Sequence, residues 1–167
     1  MRGMVAALAA LGVIGGSAPS LAQSATKIDQ KSAWGVYSYQ AQNGKVCYVL
    51  TVPTDKQPVS LDHGDIFFFV SQRPGQSVTY EPLFRTSYEM QAGSEVKVTV
   101  GDKSFAMFTK ENSAWVKNAA EEPALIAAMK SGSDMKISAK SKRGNPTSYV
   151  FSLKGISAAL GSIARCK

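Results

Sequence analysis

"SDMKISAKSKRGNPTSYVFSLKGISAALGSIARC" (Ser133–Cys166) decides how this chain is read, because its apolar residues change period part-way along. Met135, Ile137 and Ala139 alternate with Asp134, Lys136, Ser138 and Lys140, the period-two pattern of a half-buried antiparallel strand. Arg143 to Pro146 is turn chemistry, and "TSYVFSL" (Thr147–Leu153) pairs back. Beyond Gly155 the period becomes helical. Ile156, Ala159, Leu160 and Ile163 form one apolar face, and Cys166 lies three residues further along it. The stretch therefore predicts a hairpin followed by a helix whose terminal cysteine points at the core.

The other cysteine is Cys47, in "GKVCYVLTV" (Gly44–Val52). Whether the two join depends on compartment. "MRGMVAALAALGVIGGSAPSLA" (Met1–Ala22) has a positive Arg2, an apolar run from Val5 to Ile14, and small Ser20 and Ala22 at the positions a signal peptidase reads. Cleavage after Ala22 is expected. The run is shorter than the roughly 20 residues that span a bilayer, and Gly15, Gly16 and Pro19 break it. Export places both cysteines in an oxidising compartment, where one disulfide is their simplest use. The rival, a redox-active thiol, lacks C-x-x-C spacing. Chain entropy assigns a bridge across so long a loop about 5 kcal/mol.

Upstream, "AWGVYSYQ" (Ala33–Gln40) and "KVCYVLTV" (Lys45–Val52) flank Asn43-Gly44, a hairpin signal. "DIFFFVSQ" (Asp65–Gln72) is continuously apolar, as expected of a strand covered on both faces. "SVTYEPLF" (Ser77–Phe84) reads as a strand that Pro82 demotes to an edge or bulge. "EVKVTV" (Glu95–Val100) and "KSFAMFTK" (Lys103–Lys110) form a hairpin about Gly101-Asp102. Pro123 suits a first helical turn, so helices are expected at about 121–131 and 156–165. The fold class is mainly β: an antiparallel β-sandwich or open barrel with two short helices. The expected divisions are a signal peptide at 1–22, a flexible N-terminus at 23–32 and one domain at 33–167.

The chain's formal charge of +7 becomes +6 once Arg2 leaves with the signal peptide. A basic exported protein suits an acidic neighbour such as anionic lipid, lipopolysaccharide or an acidic protein; the same lysines also serve plain solubility. Export removes nucleic acid as a partner. His63, the single histidine, sits in the turn composition "LDHGDI" (Leu61–Ile66), and no carboxylate pair is set apart for acid–base work. No catalytic, cofactor-binding or metal-binding residue is assigned. The candidate binding residues are Lys136 and Lys140, on the polar side of one strand, Lys142 and Arg143 at its turn, and Trp115 in a loop before the first helix. The alternative for the lysines is a solvated face that discourages strand pairing. The strand aromatics Trp34, Tyr37, Tyr39, Phe67, Phe68 and Phe69 are expected in the core.

"GSEVKVTVGDKSFAMFT" (Gly93–Thr109), "AWV" (Ala114–Val116), "LIAAMKSGSDMKISAKSKRG" (Leu125–Gly144) and "YVFSLKGISAALGSIARC" (Tyr149–Cys166) together resemble the invasion-associated locus B family of bacterial envelope proteins. Trp34, Cys47 and Tyr48 agree with it. "SYE" (Ser87–Glu89) departs from the family's usual "GYP"-like segment. The resemblance implies an exported, mostly β protein with no known catalysis; the expected place is the periplasm, and no cofactor is expected. Its partner would be an envelope protein, a host surface, or an anionic lipid or glycan, with peripheral membrane association as one form of the contact. The alternative is a periplasmic inhibitor of an exported hydrolase, inserting the loop at Arg73–Gln76 or at Lys142–Pro146.

Overall fold

The structure is a computed structural model describing residues 24–166; the expected signal peptide at 1–22 lies outside the described residues. Eleven strands run in the order β1 (Thr26–Lys31), β2 (Trp34–Ala41), β3 (Gly44–Thr51), β4 (Asp55–Gln57), β5 (Ile66–Arg73), β6 (Val78–Thr86), β7 (Glu95–Val100), β8 (Lys103–Lys110), β9 (Ser113–Val116), β10 (Asp134–Lys140) and β11 (Pro146–Ser152). Helix α1 (Glu122–Ser131) precedes β10, and α2 (Ile156–Ile163) follows β11. All strands join one antiparallel sheet ordered β1-β2-β3-β5-β6-β9-β8-β7-β10-β11-β4, which curls on itself without closing into a barrel. This is the open β-sandwich, with both helices where the sequence places them.

The alternation read in the sequence is the alternation that is buried. Met135, Ile137 and Ala139 of β10 face inward while Asp134, Lys136, Ser138 and Lys140 face solvent. Val96, Val98 and Val100 of β7 do the same. Trp34, Phe68, Phe84, Tyr149 and Phe151 fill the middle of the core. Their rings meet edge-on or tilted, with Trp34–Phe68 at 6.5 Å and Phe84–Phe151 at 6.4 Å, the arrangements that the ring quadrupole favours.

The two ends of the sheet are joined by contacts outside any ladder. The Trp34 indole donates to the Ser152 carbonyl at 3.1 Å, and the Ala33 amide donates to the Lys154 carbonyl at 3.2 Å. Gly155 starts α2 with φ +92°, and a Cβ there would stand 2.1 Å from the Lys31 carbonyl oxygen. Glycine alone meets both conditions. α2 buries Ile156, Ala159, Leu160 and Ile163 against β2 and β3, and Cys166 is disulfide-bonded to Cys47 of β3 across 119 residues.

Three expectations are corrected. Within the stretch 23–32, expected to be flexible, Thr26–Lys31 pairs with β2 as an edge strand; its exposed side chains left no hydrophobic period to read. "IFFFV" is buried on one face only, since Phe67 and Phe69 point outward. β6 is an interior strand between β5 and β9 rather than an edge. The bulge alternative holds, since its register against β5 shifts at Thr79–Tyr80, and β9 pairs with it only over Leu83–Arg85, so Pro82 has one strand neighbour.

Because the bridge constrains so large a loop, reduction, or joint Cys47→Ala and Cys166→Ala substitution, is expected to lower stability by about 3–5 kcal/mol. Urea unfolding with and without reductant measures this. An unchanged midpoint would mean that α2 is held by packing alone.

Candidate functional site

The β10–β11 turn is held down by the segment just before β7. The Lys142 amide donates to the Glu89 carbonyl at 2.8 Å, the Gln91 amide donates to the Lys140 carbonyl at 2.9 Å, and the Lys142 ammonium pairs with the Glu89 carboxylate. That hydrogen bond holds the Lys142 amine above its usual range. Lys142 and Arg143 thereby form one rim of a cleft of about 470 Å³, opposite Leu61, Asp62 and His63.

The cleft's floor is a chain of hydroxyls. His63 is buried, with Nε2 2.9 Å from the Pro58 carbonyl oxygen and Nδ1 2.9 Å from the Tyr149 hydroxyl. A carbonyl only accepts, so Nε2 carries the proton, and in the neutral imidazole Tyr149 donates to Nδ1. The Tyr149 hydroxyl also bonds the Tyr88 hydroxyl at 2.7 Å, Tyr88 bonds the Thr147 hydroxyl at 2.9 Å, and Thr147 donates to the Ala139 carbonyl at 3.3 Å. Both ring nitrogens of His63 are thus engaged within the fold, which makes it a pin between the 58–64 turn and β11. Burial, then the Tyr88 hydrogen bond, pushes the Tyr149 hydroxyl far above the ordinary phenol range, while Thr147 opposes the shift.

"SYE", the segment departing from the family pattern, supplies this site. The Ser87 hydroxyl donates to the His63 carbonyl at 3.0 Å, Tyr88 enters the hydroxyl chain and Glu89 clamps the turn. Each contact crosses to an element distant in sequence, so spacing gave no signal of it.

The structure separates the other candidates. Lys136 and Lys140 project from the outward face of β10, where Lys136 lies opposite Thr99 and Ser138 opposite Lys97 of β7. Lys97 therefore joins them. Lys130 leaves the basic tract, standing 5.6 Å over the Tyr80 ring. Trp115 lies in β9 rather than in a loop, stacked on Phe108 of β8 at 5.8 Å. β9 is too short to show a period.

The larger surprise is on the outward face. Leu50, Phe69, Leu83, Trp115 and Phe108 are paired in register across β3, β5, β6, β9 and β8, one apolar row over five strands. Tyr37, Tyr39, Tyr48 and Phe67 flank it, with Tyr37 stacked on Tyr48 at 5.2 Å and Tyr48 5.8 Å from Phe69. These side chains are half-buried by one another, except Phe108, which is 46% exposed. Of the aromatics expected in the core, Trp34 and Phe68 are there; Tyr37, Tyr39, Phe67 and Phe69 are outside. In "WGVYSYQ" the change of parity between Val36 and Tyr37 was the legible sign.

A family model described as invasion associated locus B protein matches residues 34–164. The crystal structure of invasion associated protein B from Bartonella henselae is similar, with a TM-score of 0.58 at 15% identity, covering 81% of this chain and 93% of that one. No curated protein matches the chain. Among the described residues no helix is long and apolar enough to cross a membrane.

The hydroxyl chain has a pH signature. In the folded state Tyr149 stays neutral well above its ordinary value of 10.0, whereas the unfolded chain ionises there. Stability is therefore complete below about pH 10 and falls as pH rises beyond it, by about 1.4 kcal/mol per pH unit for one such group. Tyr48, raised by burial and then by Tyr37 and Tyr39, adds to the same window. Tyr149→Phe is expected to make the alkaline loss shallower, measured as urea midpoint against pH. An unchanged slope would refute the assignment.

Proposed function

The chain belongs to the invasion associated locus B family, and from that premise we propose that it is an exported, periplasmic, non-enzymatic β-domain. It binds a component of the bacterial envelope through a rigid, partly basic surface. The observation that carries this reading is the row of outward lysines on β7 and β10. Lys97, Lys136 and Lys140 stand on adjacent paired strands, and none of them forms an ion pair among the described residues. A strand advances about 3.3 Å per residue, so Lys136 and Lys140 are held roughly 13 Å apart. Charges at fixed spacing bind an extended anionic partner without losing the side-chain and loop freedom that a flexible segment would lose.

Export rests on the Met1–Ala22 leader, and the disulfide is consistent with an oxidising compartment. The cleft at His63 supports positioning more than chemistry, since its histidine and hydroxyls are bonded to one another. The inhibitor reading gains no specific support. Arg73 is ion-paired to Glu81 at 2.8 Å, and Gly75 packs against the Asn43 carbonyl, so that loop lies flat on the molecule.

Reversing Lys97, Lys136 and Lys140 to glutamate is expected to release the protein from washed envelope fractions at low salt while leaving its thermal midpoint in place. Lys142→Ala serves as comparator, because it removes a pair that clamps the turn. Equal retention of the parent and the triple variant would overturn the reading.

A further inference from the structure

We propose that the outward aromatic row, with the lysines of the adjoining strands, docks on an anionic lipid bilayer. This deepens the functional reading above and rests on it. Phe108 and Trp115 end the row on β8 and β9. The next strand is β7, where Glu95 lies opposite Phe108 and Lys97 opposite Ala106, and beyond it stands β10 with Lys136 and Lys140. Strands lie about 4.8 Å apart, so the exposed Phe108 ring is within about 10 Å of the first strands that carry unpaired lysines.

Charge favours this occupant. The carboxylates of β6 and β7 on this face are already neutralised, Glu81 by Arg73 at 2.8 Å and Glu95 by Lys117 at 3.2 Å. Asp134 stands at the far end of β10, hydrogen-bonded by Ser133. Asp65 lies beside Phe67 and Phe69 with Arg85 as neighbour, so it is the β8–β7–β10 end of the face that offers aromatic surface and positive charge. Two copies laid face to face would set lysine against lysine, which disfavours a dimer through this surface.

Shape and side-chain chemistry agree. The row crosses strands of a sheet that folds over its own core, so its β8–β9 end, where Phe108 is exposed, is the part that a planar partner meets. Lysines are point charges suited to a diffuse headgroup layer, whereas arginine forks suit single phosphates or carboxylates. Tyrosine and tryptophan combine an apolar body with a polar tip, the property that enriches them at membrane–water boundaries. Gly35 contributes by absence: a Cβ there would lie 2.6 Å from the Tyr37 ring, which instead lies over the strand beside Tyr48.

The test uses the mature, oxidised chain with vesicles of phosphatidylcholine alone and of equimolar phosphatidylcholine and phosphatidylglycerol. Trp34 is fully buried, so changes in tryptophan emission report Trp115. The expected result is co-sedimentation with the phosphatidylglycerol vesicles, a blue-shifted emission, and loss of both as salt is raised. Each of Lys97→Gln, Lys136→Gln and Lys140→Gln should weaken partitioning about five-fold, and Phe108→Ser about ten-fold. The lysine variants lie outside the core and keep the test open if Phe108→Ser misfolds. Absent partitioning, equal partitioning into both vesicles, insensitivity to these variants, or occupation of the face by a second copy or an acidic protein would each overturn the proposal. If the glutamate variants lose envelope retention although the parent ignores vesicles, the bilayer falls as partner and the envelope-binding reading stands.

Discussion

An open sheet must seal its core where its ends meet, and there is no ladder to do it. Here the seal is made by Trp34, Gly155, α2 and the Cys47–Cys166 bridge. The indole of Trp34 fills the core and satisfies the Ser152 carbonyl, a polar group that burial would otherwise make costly. Gly155 lets the chain enter α2 directly against the β1–β2 turn. The helix then lays four apolar side chains over the opening, and the disulfide fixes its far end to β3. Packing of those four side chains and the covalent tie together hold α2 over this part of the core.

With the inside closed in this way, the outward face need not carry the core. Its aromatics are shielded mainly by one another, through stacked and tilted contacts such as Tyr37–Tyr48 and Phe108–Trp115. Such pairs contribute about 0.5–1.5 kcal/mol each beyond area burial, so the face does stabilise the sheet. Stability alone does not require Phe108, however, because it is half exposed and stacks on Trp115 at the margin. A polar residue would satisfy a solvated strand there equally well. Contiguous apolar surface left open to water is a hazard unless something covers it, and that gives the face a functional weight its packing does not explain.

The parts of the fold legible in the sequence were those with a clean period. Glu95–Val100 and Asp134–Lys140 alternate without error, and α2 repeats at helical spacing up to its cysteine. β1, β4 and β9 escaped because they are short or exposed on both faces, and short segments carry no measurable period. "IFFFV" misled for the opposite reason: apolar on every residue, it conceals which side faces the core. The lysines of β10 were legible as a polar face, but their neighbour Lys97 was not, since only the β7–β10 register brings it there. His63 was readable as a turn residue. Its bonds to Pro58 and Tyr149, the latter 86 residues away in sequence, follow from the fold.

These pieces bear on one another mechanically. The β10–β11 hairpin carries outward lysines on one strand and the deeply buried Tyr149 on the other. Its turn is clamped by Glu89, its middle is pinned through Tyr149 to Tyr88 and His63, and β7 pairs along its flank. A hairpin held at three places cannot splay to suit a partner; a partner must match the lysine spacing it presents. The hydroxyl chain then bears on the outward face of the hairpin although Thr147 and Tyr149 face inward. It fixes β11, the strand that pairs with β10 and its outward lysines, and a lesion at Tyr88 or Tyr149 would be felt first as loss of spacing on β10. Rigid display of this kind favours partners that are themselves extended and tolerant of register, which a planar array of headgroups is and a single folded pocket is not.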